Sequence, residues 1–303
     1  MTFRLATILV VTALGLGTAG AQYQVDTRSN VDYAEHDGVK LAGDLYLPRG
    51  LAKAPVLVAV HGGGWQGGSP ASYRQWGPYL AKNGFGVFAV RYRLAKPGVT
   101  TYPQAVYDIK AAVQFLRAKA GELGVDPERI GAMGDSAGAH LVALVALAGD
   151  EPLFSSEYRN APNAATPSSL KAVVGFYGVY DLWAQWQHDQ IARPRDQIAE
   201  KFLGVSPMQN RRVYFDSSPA SYAIESKNRT RFVIVHGTND DVVDVPTQST
   251  AFQTVLKQAG FFARTVVVPG AGHYFVGSDS LDDPTSFGAF AAPKVLRMLE
   301  GAL

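Results

Sequence analysis

Gly134-Asp135-Ser136-Ala137-Gly138 is the stretch on which the reading of this chain turns. It follows a short strand-like segment, Arg129–Met133, and precedes an apolar run of helical length, Ala137–Ala148. Strand, glycine-flanked serine and helix together describe a sharp turn that pushes a serine hydroxyl out at the carboxyl end of a strand. The glycines permit the turn, and its central residue carries strained backbone. The helix N-terminus beneath offers free N–H groups and a positive dipole end. Ser136 is therefore the candidate nucleophile. A glycine-rich turn that only packs strand on helix is the alternative, and the flanking elements argue against it.

Working outward, the chain alternates. Pro55–Val60 is a continuous apolar run suited to a strand buried on both faces, and it ends in His61-Gly62-Gly63-Gly64-Trp65. A helix-like stretch covers Tyr73–Lys82, and Phe85–Tyr92 is a second buried strand. Val106, Ile109, Val113 and Leu116 share one face of a helix over Tyr102–Leu123, which stops at Gly124. Lys171–Tyr177, Arg231–Val235 and Arg264–Val268 read as strands, and Thr247–Gln258 and Phe287–Leu299 as helices. Ahead of all these, Val31–Pro48 reads as a hairpin turning at Asp37-Gly38. A hairpin followed by alternating strands and helices implies an α/β domain over 22–303. Its sheet is mostly parallel with helices on both faces. Ligands of such sheets bind beyond the carboxyl ends of the strands. Val179–Thr230, between the sixth and seventh strands, is far too long for an ordinary connection and is expected to be a helical lid.

A serine hydroxyl needs a base. Six histidines are available: His36, His61, His140, His188, His236 and His273. His273 follows the last strand in Pro269-Gly270-Ala271-Gly272-His273, at the carboxyl edge, and is the best placed. His61 reads as a structural residue of its loop, and His140 as packed within its own helix. The loop after the preceding strand offers Asp240, Asp241 and Asp244 as orienters of the base, and spacing alone leaves the choice open. The order serine, acid, histidine narrows the class of hydrolase fold. Three successive glycines let backbone N–H groups approach a ligand closely, so Gly63 and Gly64 join Ala137 as candidate oxyanion donors.

These residues resemble those of the α/β-hydrolase esterases, on the side shared by hormone-sensitive-lipase-like enzymes and small acetyl- or feruloyl-esterase-like proteins. The matching residues are His61 to Trp65, Asp126 to Ile130, Gly134 to Gly138 with His140 and Leu141, His236-Gly237 with Asp240, and Gly272-His273. The resemblance implies an α/β-hydrolase fold, a Ser136–Asp240–His273 triad and ester substrates. It favours Asp240 because such loops place the acid four residues after the His-Gly histidine. Asp241 and Asp244 depart from the family, which often has proline there. Short acyl or aromatic-acid esters, of small molecules or of acetylated or feruloylated saccharides, are the expected substrates. An amidase or peptidase, an acyltransferase and a non-catalytic binding module are the rivals. Trp65, Trp183 and Trp186 are candidates to stack on a sugar or aromatic ring, with core packing as the alternative.

Composition limits the rest. The chain has 303 residues, 47% hydrophobic, with a formal net charge of +2. No dense basic block is present to bind nucleic acid. There is no cysteine, so disulfides and thiolate metal sites are excluded, and no cofactor or metal is expected. Arg4, the apolar run Leu5–Leu16 and Ala19-Gly20-Ala21 form the pattern of a cleavable export signal over 1–21. The expected destination is the periplasm or the exterior, with no stable membrane insertion after cleavage.

Overall fold

The computed structural model describes residues 22–303, so the expected export signal over 1–21 lies outside the described residues. Eight strands form one sheet: β1 (Val25–His36), β2 (Val39–Pro48), β3 (Ala54–Val60), β4 (Gly86–Val90), β5 (Val125–Asp135), β6 (Ala172–Phe176), β7 (Arg231–Gly237) and β8 (Ala263–Val268). Their spatial order is β1-β2-β4-β3-β5-β6-β7-β8. β1, β2 and β4 pair antiparallel, and every later pairing is parallel.

The strand sequences explain the layering. All seven residues of β3 are buried. Val56, Val58 and Val60 pack against one helical layer, where Val106, Ile109, Val113, Leu141 and Val142 meet them. Leu57 and Ala59 face the other, against Trp76, Leu80, Val295 and Leu299. Strict alternation into two apolar layers is what a continuous Val/Ile/Leu run in a parallel strand provides.

The turn Asp37-Gly38 has φ of +52° and +75°, the left-handed pair that a two-residue hairpin requires. Several boundaries differ from those read in the sequence. β1 begins at Val25 rather than Val31, because its polar outer half still pairs with β2. β5 starts at Val125, not Arg129: Val125 already pairs with Ala54 across a register shift, in a polar segment that lacks an apolar signal. The long helix Gln104–Ala118 ends in a kink before Ala120–Leu123. The stretch around Tyr73 divides into a 3₁₀ turn, Pro70–Tyr73, and the helix Trp76–Lys82. A wider-wound turn, Pro246–Thr250, precedes the helix Ala251–Gln258.

The connection between β6 and β7 holds three short helices, Leu182–Ala192, Ile198–Leu203 and Arg211–Asp216. It is tied firmly to the domain. Phe202 is fully buried and stacks on Trp65 at 4.5 Å between ring centroids.

Candidate active site

The turn after β5 is forced by its glycines. Ser136 has φ +53° and ψ −119°, a conformation that non-glycine residues rarely adopt. A Cβ on Gly134 would lie 2.4 Å from the Gly138 carbonyl carbon, and one on Gly138 would lie 1.9 Å from the Val60 carbonyl oxygen. Both positions must therefore be glycine for the helix Ala137–Ala148 to start so close to β3. The N–H of Ser136 donates to the Phe176 carbonyl at 2.9 Å, which ties the turn to β6.

Opposite it, the loop after β3 is folded against the turn. Gly62 packs so closely that an added Cβ would meet Asp135 Oδ2 at 2.5 Å and Ser136 Cβ at 3.0 Å. Gly63 and Gly64 adopt φ of +110° and +59°. The N–H groups of Gln66 and Gly67 both donate to the Gly63 carbonyl at 3.0 Å and close the loop into a tight turn. Among the described residues, the N–H groups of Gly63, Gly64 and Ala137 have no backbone acceptor.

Asp135 braces this junction. It is buried, and Tyr73 Oη lies 3.0 Å from its Oδ1 and 3.2 Å from the Val60 carbonyl. Burial pushes its carboxyl up to about 6, against the hydrogen bonds from Tyr73 and the Gly62 N–H.

The loops after β7 and β8 are joined to each other. Thr238 N–H donates to the Val268 carbonyl at 3.1 Å, Asn239 N–H to the Ala271 carbonyl at 2.9 Å, and Gly270 N–H to Thr238 Oγ1 at 2.8 Å. Gly237 lets the second loop cross, since a Cβ there would sit 2.2 Å from the Ala271 oxygen. The joined loops present Asp240 and His273 together. His273 Nδ1 lies 2.7 Å from Asp240 Oδ2, and His273 Nε2 lies 3.0 Å from Ser136 Oγ. Asp240 Oδ1 accepts the N–H groups of Val242 and Val243, each at 2.9 Å. Burial pushes the Asp240 carboxyl up, but hydrogen bonds from His236 and His273 outweigh it and hold the group well below the usual carboxylate range. An ionised acid at Nδ1 fixes the tautomer in which Nε2 can accept the serine proton.

Asp244 is used elsewhere, and the Asp241 carboxylate has no hydrogen-bonded histidine among the described residues. The Asp241 carbonyl faces His188 Nε2 at 3.3 Å, and Asp244 Oδ2 accepts from Thr247 N–H and Oγ1. The other histidines are structural. His61 Nδ1 donates to the Gly62 carbonyl at 2.8 Å while its ring stacks on Tyr92. His140 accepts from Trp65 Nε1 at 3.1 Å and donates from Nε2 to the Ser217 carbonyl at 2.8 Å. His36 pairs with Asp108 at 2.8 Å.

The three tryptophans part company. Trp65 is fully buried between His140 and Phe202, so its indole is spent on packing and is not presented to a ligand. Trp186 donates to Glu200 Oε2 at 3.2 Å, and Trp183 lies under the Arg211 guanidinium at 4.6 Å. Both stay partly exposed on the connection between β6 and β7.

Two neighbours of the site were not singled out as site residues in the sequence. Tyr177 stands beside the His273 ring at 4.4 Å and accepts the Val276 N–H at 3.1 Å. His236, read from sequence only as the start of the acid loop, places Nε2 3.0 Å from Asp240 Oδ2. Its four-residue spacing from Asp240 is the one clue the sequence held.

The BD-FAE family matches residues 43–256, which include Ser136 and Asp240 but end before His273. Esterase LipQ of Mycobacterium tuberculosis is 32% identical over 74% of this chain and 51% of its own length. Ethyl acetate hydrolase of Pseudomonas putida is 30% identical over 92% of this chain and 85% of its own. The chain spans about half the length of the mycobacterial relatives it matches. Among solved structures, the esterase Est2 of Thermogutta terrifontis superposes with a TM-score of 0.70 at 26% identity, covering 91% of each chain.

Proposed function

The chain belongs to the BD-FAE family, and from that premise we propose that it is a serine carboxylesterase acting through an acyl-enzyme on Ser136. The observation that carries this reading is the continuous line of contacts from Ser136 Oγ through His273 to Asp240. Ser136 attacks the ester carbonyl while His273 Nε2 takes its proton. Asp240 holds the ring and stabilises the imidazolium. The N–H groups of Gly63, Gly64 and Ala137 receive the developing oxyanion, each worth about 3 kcal/mol of barrier. His273 then gives its proton to the leaving alcohol, and water, activated by the same ring, releases the acid.

Short acyl chains are the favoured substrates. Two relatives support this: the Pseudomonas putida protein is named for ethyl acetate, and Est2 has been solved with propionate and with butyrate bound. Forms of Est2 phosphonylated by sarin and phosphorylated by paraoxon support reactivity towards organophosphorus phosphylating agents in this fold. The connection over 179–230 is read as a cover on the site, since Ile198 Cγ2 comes within 3.3 Å of where a Gly64 Cβ would stand. Acetylated or feruloylated saccharides fit an exported enzyme. Export itself rests on the pattern over 1–21. Among the described residues no helix is long and apolar enough to cross a membrane.

The test is covalent labelling with a fluorophosphonate, followed by peptide mass spectrometry, beside a series of p-nitrophenyl esters from acetate to octanoate. Labelling of Ser136 and fastest turnover of the short esters are expected. Absence of the adduct, with no ester turned over, overturns the reading.

A further inference from the structure

A cleft of about 620 Å³ opens beside the glycine loop, and none of Ser136, Asp240 or His273 lines it. Its walls come from Gln66, the turn Ala95–Thr100 and the segment from Gln197 to Gly204. These walls are fixed to one another and to the loop. Ala95 N–H donates to the Trp65 carbonyl at 2.8 Å. The turn is closed by Lys96 and Val99, which exchange backbone hydrogen bonds at 2.9 and 2.8 Å. Gly204 comes so near Thr100 that a Cβ would lie 2.4 Å from its Cγ2. Gln66 Nε2 donates to the Gly64 carbonyl at 3.2 Å, so the cleft begins at one of the proposed oxyanion donors.

The lining has a definite chemistry. It holds no aromatic ring, which argues against a flat apolar ligand. It holds two amides, of which Gln66 keeps its Oε1 without a partner among the described residues while Gln197 accepts from Gln190 Nε2 and donates to the Pro194 carbonyl, and two exposed ammonium groups, from Lys96 and Lys201. Its single carboxylate, Glu200, is occupied by Trp186 Nε1. Neither lysine forms an ion pair among the described residues. Amides suit hydroxyl groups, and two unpaired cations against one engaged carboxylate leave the cleft net positive.

We propose that this cleft is a subsite for a carboxylate-bearing saccharide chain, with Lys96 and Lys201 reading the acid groups of an ester whose acyl bond lies at Ser136. The proposal rests on the esterase reading, and it names the part of the substrate remote from the scissile bond. The ligand would run from Ser136 past Gly64 and Gln66 into the cleft.

The experiment is calorimetric binding of tri-galacturonate and of neutral xylotriose to the full chain, beside p-nitrophenyl acetate turnover by the same preparation. Tri-galacturonate is expected to bind at least tenfold more tightly than xylotriose, with an affinity that weakens as salt is added. The double variant Lys96→Ala/Lys201→Ala should lose that preference, and Lys96→Arg/Lys201→Arg should keep it. Equal affinity for the two trisaccharides, or a preference untouched in the alanine pair, overturns the subsite. Binding is read without catalysis, so failure of p-nitrophenyl acetate turnover counts against the esterase reading alone.

Discussion

His236 and His273 share one oxygen of Asp240. Nε2 of His236 lies 3.0 Å from Oδ2, and Nδ1 of His273 lies 2.7 Å from the same atom. The far side of His236 is fixed in turn, with Nδ1 2.5 Å from Ser249 Oγ. The acid is thus held from behind while it holds the base. His236→Ala removes one donor from a buried carboxylate, which costs about 1–3 kcal/mol of stability. It also frees Asp240 to turn from His273, so kcat on p-nitrophenyl acetate should fall about tenfold with KM little changed. Unaltered kcat in a folded variant would show that Val242 and Val243 suffice to place the acid.

Removing the proposed nucleophile is the sharper test. Ser136→Ala should lower kcat by at least about three orders of magnitude, as loss of a triad member does. Asp240→Asn should lose about as much, because a neutral amide no longer selects the tautomer with a free Nε2. Circular dichroism should show both variants folded. Near-normal ester turnover by Ser136→Ala would remove the acyl-enzyme from the mechanism.

The glycines of the turn predict a contrast in stability. Gly138→Ala drives a methyl to 1.9 Å from the Val60 carbonyl, where neither backbone can yield. A loss of more than about 4 kcal/mol, or failure to fold, is expected. Gly121→Ala, in a helix and with open space around it, should instead leave stability unchanged or raise it by up to about 1 kcal/mol. Urea midpoints measure both. Equal midpoints for the two variants would contradict the packing described at the turn.

Acid should weaken the fold through two histidines. Burial pushes His61 and His140 down to about 4, against hydrogen bonds to the Gly62 and Ser217 carbonyls. Between the ordinary imidazole value and about 4, the unfolded chain takes up protons that the folded chain refuses, so stability drops as pH falls. Asp135 works in the opposite direction. Its raised carboxyl contributes stability below the ordinary carboxylate value and loses it as pH rises through about 6. Taken alone, two groups against one give a slope of at most about 1.4 kcal/mol per pH unit between pH ~4 and ~6, falling towards acid, and Asp189, whose carboxyl burial also pushes up, reduces it. Asp240, whose carboxyl is held low, gives up its contribution only below the ordinary carboxylate range. Urea midpoints across pH ~4 to ~7 test this, and a flat profile would contradict it.

Much of the fold could be read from β3 and from the apolar run Ala137–Ala148. A strand buried on both faces and a helix starting straight after a serine turn have few other homes in a sheet. The polar edges were invisible. β1 from Val25 and β5 from Val125 are held by backbone pairing, which leaves no mark on hydrophobic pattern. At the site, chain order and position after a strand pointed to Ser136 and His273. Spacing alone left Asp240 among three acids, the family resemblance favoured it, and the pairing of the two loops holds it against His273. Trp65 illustrates the limit in the other direction. It was a candidate to stack on a ligand ring with core packing as the alternative, and its ring lies between His140 and Phe202; spacing in sequence says nothing about which way an indole turns.

The stack of Phe202 on Trp65 has a consequence for how substrate enters. Phe202 belongs to the main apolar layer of the domain, and Trp65 sits on the very loop that supplies Gly63 and Gly64. Swinging the segment Ile198–Leu203 outward would unstack that pair and slacken the glycine amides at the same moment. As the proposed cover on Ser136, this segment is expected to act as a fixed beam, not a trapdoor, with traffic in and out passing along its edges.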